Sequence, residues 1–162
     1  MSVTVPRKGT RGSRFPKFPG FMARFFSGLQ RRSFRRSGGG RTQGGVETLL
    51  LETVGARTGQ TRSAMLGFLE DGPGAWLVIA SLAGSARNPA WVHNLARNPA
   101  ATIELPGGQR VAVAARSLEG DALAAAWARI ETDAPEYAKY LSVTDREMPV
   151  IRLEKSETAR PG

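Results

Sequence analysis

The chain has no cysteine and a single histidine, His93, among its 162 residues. Disulfide bonds, cysteine-ligated metals and thiolate catalysis are therefore excluded, and one imidazole cannot supply a multi-histidine site, so we expect no metal centre. No apolar run reaches the length of about 18 residues that a membrane-spanning helix needs. The basic start also lacks the apolar core of a secretory signal. These absences favour a cytoplasmic protein, either free or peripheral on the cytoplasmic membrane.

Acidic residues are missing from the first 41 positions, which carry 11 lysines and arginines. The rest of the sequence holds 12 basic and 14 acidic side chains, so the formal charge of +9 originates in this N-terminal arm. Such a concentration of positive charge is typical of segments that contact polyanions or anionic membranes, and also of solvated leaders. Both interpretations stay open from charge alone.

The arm divides into three parts by composition. We predict a disordered basic leader over residues 1–17, a basic amphipathic helix over 18–36 and a flexible glycine-rich linker over 37–45. The helix either packs on the protein body or lies on a bilayer or ligand. Apolar side chains at three- and four-residue spacing support this helix: Phe18, Phe21, Met22, Phe25, Phe26 and Leu29.

The body, residues 46–155, has strand patterns interrupted by turn residues and helical stretches, and a loose tail is expected over 156–162. Turns such as the DGPG of residues 71–74 join most successive strands, which predicts an antiparallel sheet. A short helix is expected from Pro89, with Asn88 as its N-cap, and further helices over GDALAAAWARIETD and PEYAKYL. Strands and helices do not alternate as in doubly wound folds. The order therefore predicts an α+β, mainly β protein, a small barrel with peripheral helices.

Two arginines flank the second glycine of GARTGQTR, residues 55–62, in the connection between the first two strands. The planar guanidinium groups of Arg57 and Arg62 suit phosphate, and successive loop amides around Gly59 can form an anion-binding nest. The segment is neither a P-loop nor a GxGxxG fingerprint, since it lacks the Lys-Ser/Thr of the one and the following helix of the other. An anion cradle and a solvated hairpin turn remain alternatives.

Further candidates lie in ASLAGSARNPAWVHNLARNP and PEYAKYLSVTDR. The first is a small-residue loop that leads into a helix N-terminus with free amides, where Trp91 belongs either to the core or to a ligand site. In the second, Tyr137 and Tyr140 share a helix face and either pack in the core or present a phenol to a substrate. Asp145 and Arg146 are expected to form an ion pair before the last strand.

Three motifs together carry a resemblance to a known family: G-x-x-[ST]-G-x-x-R at 55–62, A-S-x-x-G-x-x-[KR]-N-P-x-W-x-x-N-L-x-x-N-P at 80–99, and T-D-R-x-x-P at 144–149. In this order, and with the basic N-terminal helix, residues 20–155 resemble the deazaflavin-dependent nitroreductases of actinobacteria. The resemblance implies a split β-barrel. It also implies coenzyme F420, a deazaflavin that carries a phosphate and an anionic polyglutamate tail.

The resemblance also implies roles for individual residues. Tyr137 and Ser81 would be catalytic at the substrate face. Characterised members carry a basic residue at the position of Leu82, an aromatic at Gly67 and a third tyrosine at Ala134, so a different substrate face is expected here. The cofactor would be held by Arg57, Thr58, Gly59, Arg62, Ala64, Met65, Leu66, Ile79, Ala80, Ser81, Leu82, Ala90, Trp91 and Asn94.

The function implied by this resemblance is hydride transfer from reduced F420 to an electron-poor acceptor, which is a quinone, an enone or a nitro compound. One alternative is a non-catalytic F420-binding or membrane-peripheral protein, with residues 18–36 on an anionic surface. Another is a small barrel that binds nucleic acid through its basic arm. The protein is expected to be a monomer or a homodimer.

Overall fold

A computed structural model describes residues 2–14, 20–42 and 44–156. Six strands close into a barrel in the order β1-β2-β3-β6-β5-β4, and every neighbouring pair is antiparallel. The predicted mainly antiparallel barrel is therefore confirmed. The strands are β1 Thr48–Val54, β2 Thr61–Glu70, β3 Ala75–Ile79, β4 Ala100–Glu104, β5 Arg110–Ser117 and β6 Val150–Lys155.

Side-chain alternation along the strands separates an inner core from an outer one. Leu49 and Leu51 point inward and pair in register with Leu66 and Ala64 of β2. The inner core also takes up Trp91, Val92 and Leu95 of helix α2, Ala90–Arg97, which packs against the barrel interior. The helix predicted to start at Pro89 therefore has its apolar side on the barrel core.

Helices α3, Gly120–Asp133, and α4, Pro135–Tyr140, cover the outer face of the sheet. Leu77 and Ile79 of β3 and Val150 of β6 form the strand side of this second apolar cluster. The cluster also contains Ala126 and Ile130 of α3, Tyr137 of α4, and Ala134, which joins the two helices. The helix predicted over GDALAAAWARIETD is thus present, and the helix predicted over PEYAKYL ends one residue earlier, at Tyr140.

Helix α1, Gly20–Ser37, lies against β2 and β1. Phe34 is only 1% exposed, and a cluster of charged groups fixes the C-terminal half of the helix. Arg35 Nε lies 3.2 Å from Glu104 Oε2, and Arg110 bridges that carboxylate to Glu52 at 3.2 and 2.7 Å. Because Glu104 is buried, its carboxylate loses hydration, and the two arginines offset that desolvation free energy.

The helix predicted over residues 18–36 spans Gly20–Ser37 in the described part of the chain. Phe18 lies outside the described residues, and for residues 20–26 only the backbone is described. Leu29 is 45% exposed, so this apolar side chain of the predicted face is largely open to solvent. None of the helices in the described ranges is long and apolar enough to cross a bilayer.

The structure differs from the sequence-based expectation over residues 2–14, for which disorder was expected. These residues, here named the N-terminal strap, run along the body: Gly9 N donates to Ala86 O at 2.7 Å, and Ser13 N donates to Gly84 O at 3.0 Å. A methyl group on Gly12 would lie 2.5 Å from the Gly84 carbonyl oxygen, so the two backbones touch directly. The composition of this segment could not reveal these contacts, because the partners lie more than 70 residues away in sequence.

The linker also differs from the flexible segment expected over residues 37–45. Gly40 N donates to Thr48 Oγ1 at 3.1 Å, and Thr42 Oγ1 donates to Glu136 of α4. Gly44 N donates to the same carboxylate at 3.2 Å. The two bonds to Glu136 satisfy polar groups through a residue distant in sequence, so glycine content alone was a poor guide to flexibility here.

Two local predictions were wrong. The N-cap of α2 is Pro89 rather than Asn88, whose side chain instead donates to Pro6 O of the strap at 2.7 Å. Asp145 and Arg146 do not pair with each other. Asp145 accepts the Thr10 and Arg11 amides, both at 2.8 Å, whereas Arg146 is buried and bonds to backbone carbonyls.

Candidate functional site

The connection between β1 and β2 uses part of its own hydrogen-bonding capacity. Gly55 N donates to Gln60 O at 2.8 Å, and Gly59, at φ 69°, donates to Gly55 O at 2.9 Å. Thr58 Oγ1 accepts the Gln60 amide at 3.2 Å. The amides of Arg57 and Thr58 are therefore the ones left for a ligand, which is a smaller nest than the sequence alone suggested.

Positive charge at this turn is not neutralised. Arg57 is exposed, and in the described ranges no carboxylate lies within ion-pair distance of it. Arg62 is half-buried and bonds through NH1 to Gln60 Oε1 at 3.3 Å, a neutral partner. Within the described ranges, neither guanidinium group of this turn has a carboxylate partner, and such groups are able to bind an anion.

Helix α2 holds this turn in place through Asn94. Its Oδ1 accepts the Ala56 amide at 2.9 Å, and its Nδ2 donates to Thr53 Oγ1 at 3.0 Å. Asn94 is buried and Trp91 lies in the inner core, whereas Ala90 is exposed. The buried side chain of Asn94 therefore fixes the arginine turn to α2, while Trp91 packs in the barrel core.

Part of one edge of β2 has no neighbouring strand. β3 pairs only with Phe68, Leu69 and Glu70, so the first seven residues of β2 have β1 as their single strand partner. Phe68 N donates to Glu47 O on the β1 side. Because backbone groups alternate in an antiparallel ladder, the amides of Ser63, Met65 and Gly67 point away from β1. We call this the free edge of β2.

Two hydroxyl groups satisfy the ends of the free edge. Ser63 N donates to Ser27 Oγ of α1 at 2.6 Å, and Gly67 N donates to the Tyr137 hydroxyl of α4. Between them, Met65 is 39% exposed, and its backbone groups have no partner among the described residues. One donor and one acceptor are therefore available on a strand edge bounded by α1 and α4.

Tyr137 is held tightly against the free edge. A β-carbon on Gly67 would overlap its hydroxyl, so glycine is needed at that position for the phenol to reach the strand. Burial raises the pKa of Tyr137, and the nearby Glu136 carboxylate raises it further. Tyr137 is consequently protonated at neutral pH, and its oxygen accepts the Gly67 amide while its own proton is free to be donated.

The tyrosine pair of α4 links the free edge to the loop that follows β3. Tyr137 and Tyr140 are edge-to-face with ring centroids 6.3 Å apart, as their spacing predicted. Tyr140 Cδ1 lies 3.5 Å from the β-carbon position of Gly84. The loop over residues 80–89, here named the 80–89 loop, therefore lies next to α4, as the free edge does.

The 80–89 loop begins with an unusual backbone. Leu82 and Ala83 have φ values of 41° and 52°, and Gly84 follows at 77°. Only glycine adopts such angles without steric cost. Ser81 and Leu82 are half-buried, whereas Ile79 and Ala80 are buried.

The predicted site residues fall into two groups. The structure brings the arginine turn together with α2, and it brings the free edge near Tyr137 and the 80–89 loop. Several contributors were not predicted: Ser27, which caps the free edge, the strap, and Arg146 inside the loop. Of these, only Arg146 had a sequence signal, the T-D-R-x-x-P motif, because the other contacts join residues far apart in the chain.

The sequence of this chain is similar to a family of known proteins. A family model for the F420H(2)-dependent quinone reductases matches residues 26–155. A Mycobacterium tuberculosis H37Rv protein named F420H(2)-dependent quinone reductase is 38% identical over 120 residues, which cover 72% of this chain and 79% of the relative. A second protein of that strain, named a putative quinone reductase of the same type, is 35% identical over 108 residues, 67% of this chain and 89% of its own.

Solved structures show the same barrel. An F420-H2 dependent reductase called FDR-A superposes with a TM-score of 0.59 at 30% identity, covering 66% of this chain and 93% of that one. A protein described as a domain-swapped dimer superposes with a TM-score of 0.61 at 28% identity, covering 81% and 98%. The resemblance inferred from the three motifs is confirmed, and the chain belongs to the F420H(2)-dependent quinone reductase family.

Proposed function

We propose that this protein is an oxidoreductase that uses reduced coenzyme F420 to reduce a quinone. The observation that carries the proposal is the free edge of β2, where the peptide groups at Met65 lie unpaired between α1 and α4. A deazaflavin ring presents N–H and C=O groups along one side, which match a strand edge with one donor and one acceptor. Ala64 and Leu66 would lie along the same strand, and Ile79 to Leu82 would form the facing wall.

The anionic part of the cofactor fits the arginine turn. Arg57 has no carboxylate partner in the described chain, and Thr58 and Gly59 leave the backbone accessible beside it. Arg62 contributes a second guanidinium group on the barrel side of the turn. Trp91 and Asn94 are buried, so we propose that they act by holding the turn and α2, while Ala90 remains exposed for direct contact.

The reaction divides between the cofactor and the protein. Reduced F420, when bound, supplies a hydride to the acceptor. A quinone that accepts a hydride needs one proton to become a hydroquinone. The Tyr137 hydroxyl, whose raised pKa keeps it protonated at neutral pH, can donate a hydrogen bond to the acceptor oxygen. Ser81 is half-buried in the nearby loop and offers a second hydroxyl. We propose these two side chains as the groups that orient the acceptor oxygen and relay the proton from solvent.

The proposal is tested by titrating the purified protein with F420 and following fluorescence. Replacing Arg57 by alanine should weaken binding by about tenfold or more, since a hydrogen-bonded charge pair is lost. Arg97→Ala is a matched control, because Arg97 is an exposed arginine in the last turn of α2. It should change the dissociation constant by no more than about twofold. Absence of F420 binding by the wild-type protein would refute the proposal.

We also propose peripheral attachment of α1 to an anionic membrane. Arg32 and Arg36 are exposed on this helix, and so is Leu29, a combination typical of interfacial helices. Co-sedimentation with vesicles that contain an anionic phospholipid should fall for R32Q/R36Q. It should be unchanged for R97Q/K155Q, which removes the same charge elsewhere.

The remaining alternatives give different results in the same assays. A non-catalytic F420 protein would bind the cofactor but would not oxidise its reduced form in the presence of any quinone. A nucleic-acid-binding barrel would shift an oligonucleotide in a salt-dependent way and would not bind F420. The membrane interpretation is compatible with the enzymatic one, because the free edge and the exposed side of α1 use different groups.

A further inference from the structure

Strain in the 80–89 loop must be maintained by its surroundings. Leu82 and Ala83 are consecutive non-glycine residues with left-handed φ values of 41° and 52°. In this conformation the β-carbon approaches the following carbonyl oxygen, and such strain persists only where neighbouring groups fix the backbone. A group next to Leu82 and Ala83 must therefore fix their backbone.

Arg146 is the buried group that contacts both ends of the strained turn. It is 3% exposed, and its NH2 donates to Ser81 O at 2.8 Å while Nε donates to Ser85 O at 2.9 Å. Its NH1 donates to Asn88 Oδ1 at 3.1 Å and to Glu147 O at 3.3 Å. The guanidinium group therefore bridges the residue before the turn to the residue after it.

No charge partner explains the presence of this arginine. Within the described ranges, no carboxylate lies within ion-pair distance of Arg146, and its neighbour Asp145 is directed to the strap instead. A buried cation without a counter-charge is costly unless its donors are all used. What it gains here is a rigid planar fork that matches two carbonyl oxygens at fixed positions, which a lysine cannot supply.

We propose that Arg146 is a positioning residue for the F420 site. It acts through the backbone of Ser81 and Leu82, which it holds in the conformation needed to face the free edge of β2. It does not touch the cofactor itself. This inference rests on the proposed function, since the 80–89 loop is the proposed wall for the deazaflavin ring.

The test compares two arginines in similar settings. Arg152 is also partly buried and multiply bonded, but it pairs with Asp71 and Glu154 at the opposite end of β3. Arg146→Gln should raise the F420 dissociation constant by about tenfold or more, because hydrogen bonds from a charged group are lost. Arg152→Gln should change the F420 dissociation constant by no more than about twofold, even if its melting temperature falls as much as that of Arg146→Gln.

A second pair of variants covers the case in which Arg146→Gln does not fold. Arg146→Lys keeps the charge but cannot bridge both carbonyl groups, so it should also weaken F420 binding. Adding Ala83→Gly should restore much of that affinity, because glycine adopts φ 52° without cost. A general loss of stability would not be repaired in this position-specific way.

The two possible failures are distinguishable. If the wild-type protein does not bind F420, the proposed function itself is refuted. The role of Arg146 alone is overturned if the wild-type protein binds F420 and Arg146→Gln binds it as tightly as Arg152→Gln does. Where Arg146→Gln does not fold, Arg146→Lys takes its place in this comparison. A lysine variant that is weak and is not improved by Ala83→Gly would likewise contradict the proposed action through the loop backbone.

Discussion

At the scale of single residues, the contact between Gly67 and Tyr137 has the clearest consequences. Replacing Gly67 by alanine should force the phenol off the free edge, because the new methyl group would overlap its hydroxyl. We expect the free energy of unfolding to fall by about 1–3 kcal/mol, the usual cost of overpacking. Urea denaturation measures this.

The matched control is Gly28→Ala in α1, where a β-carbon meets no atom within 4 Å. Glycine inside a helix costs about 0.5–1 kcal/mol relative to alanine, so this variant should be more stable than the wild type. A Gly67→Ala variant that is as stable as the wild type would show that the tight contact between Tyr137 and Gly67 does not exist in solution.

Asp145 provides a second residue-scale prediction, which concerns pH. Hydrogen bonds from the Thr10 hydroxyl and from the Arg11 amide lower the pKa of Asp145 from 3.8 to about 2. Because the folded pKa is depressed, docking of the strap is fully supported above pH 3.8 and is lost as pH falls through 2. The protection of the Thr10 and Arg11 amides against hydrogen exchange, taken relative to their intrinsic exchange rates, should therefore fall in this window.

Asp145→Asn should remove this pH dependence and accelerate exchange at both amides at neutral pH. Asp121→Asn, in the first turn of α3, removes an exposed carboxylate that has no bond to the strap and serves as the control. Protection of Thr10 and Arg11 that is unchanged in Asp145→Asn would show that the carboxylate does not hold the strap.

At the scale of elements, α1 is fixed to the barrel by Glu104. This side chain is 8% exposed and lies 3.2 Å from both Arg35 and Arg110. Glu104→Gln should cost about 1–3 kcal/mol, because two charge-assisted hydrogen bonds weaken. The cost should lie at the lower end, since both arginines are about half exposed and are screened by solvent.

Glu47→Gln is the matched control for that prediction. Glu47 faces Arg41 at 3.8 Å with both side chains largely exposed, and such pairs contribute about 0–1 kcal/mol. Both variants remove one negative charge, from β4 in Glu104→Gln and from the residue before β1 in Glu47→Gln. Equal stability losses in thermal unfolding would contradict the assignment of Glu104 as the anchor of α1.

Elements were predictable from the sequence where the determinants are local. Turn residues such as those of DGPG and the two-residue alternation defined the hairpins, and Pro89 and Asp121 marked two helix starts within one residue. The strap was not predictable, because Gly9 and Gly12 resemble a flexible leader until their partners near Ala86 and Asp145 are known.

At the scale of the whole molecule, the closed barrel produces contacts that no sequence window contains. The free edge exists because β3 is shorter than β2, and its two caps come from α1 and α4 at opposite ends of the chain. Arg57 lies in the first motif, and the family resemblance implied Met65 and Tyr137 as site residues. The sequence left open whether Trp91 belongs to the core, and it did not indicate that Asn94 is buried, because both depend on where α2 meets the barrel.

We propose that this barrel transfers a hydride from reduced F420 to a quinone. The most direct measurement follows oxidation of reduced F420 by absorbance with a water-soluble quinone, and repeats it with NADPH as the donor. We predict turnover with reduced F420 and none with NADPH, and loss of turnover when Arg57 is replaced by alanine. No quinone-dependent oxidation of reduced F420 by the folded protein, or equal rates with NADPH, would contradict the account.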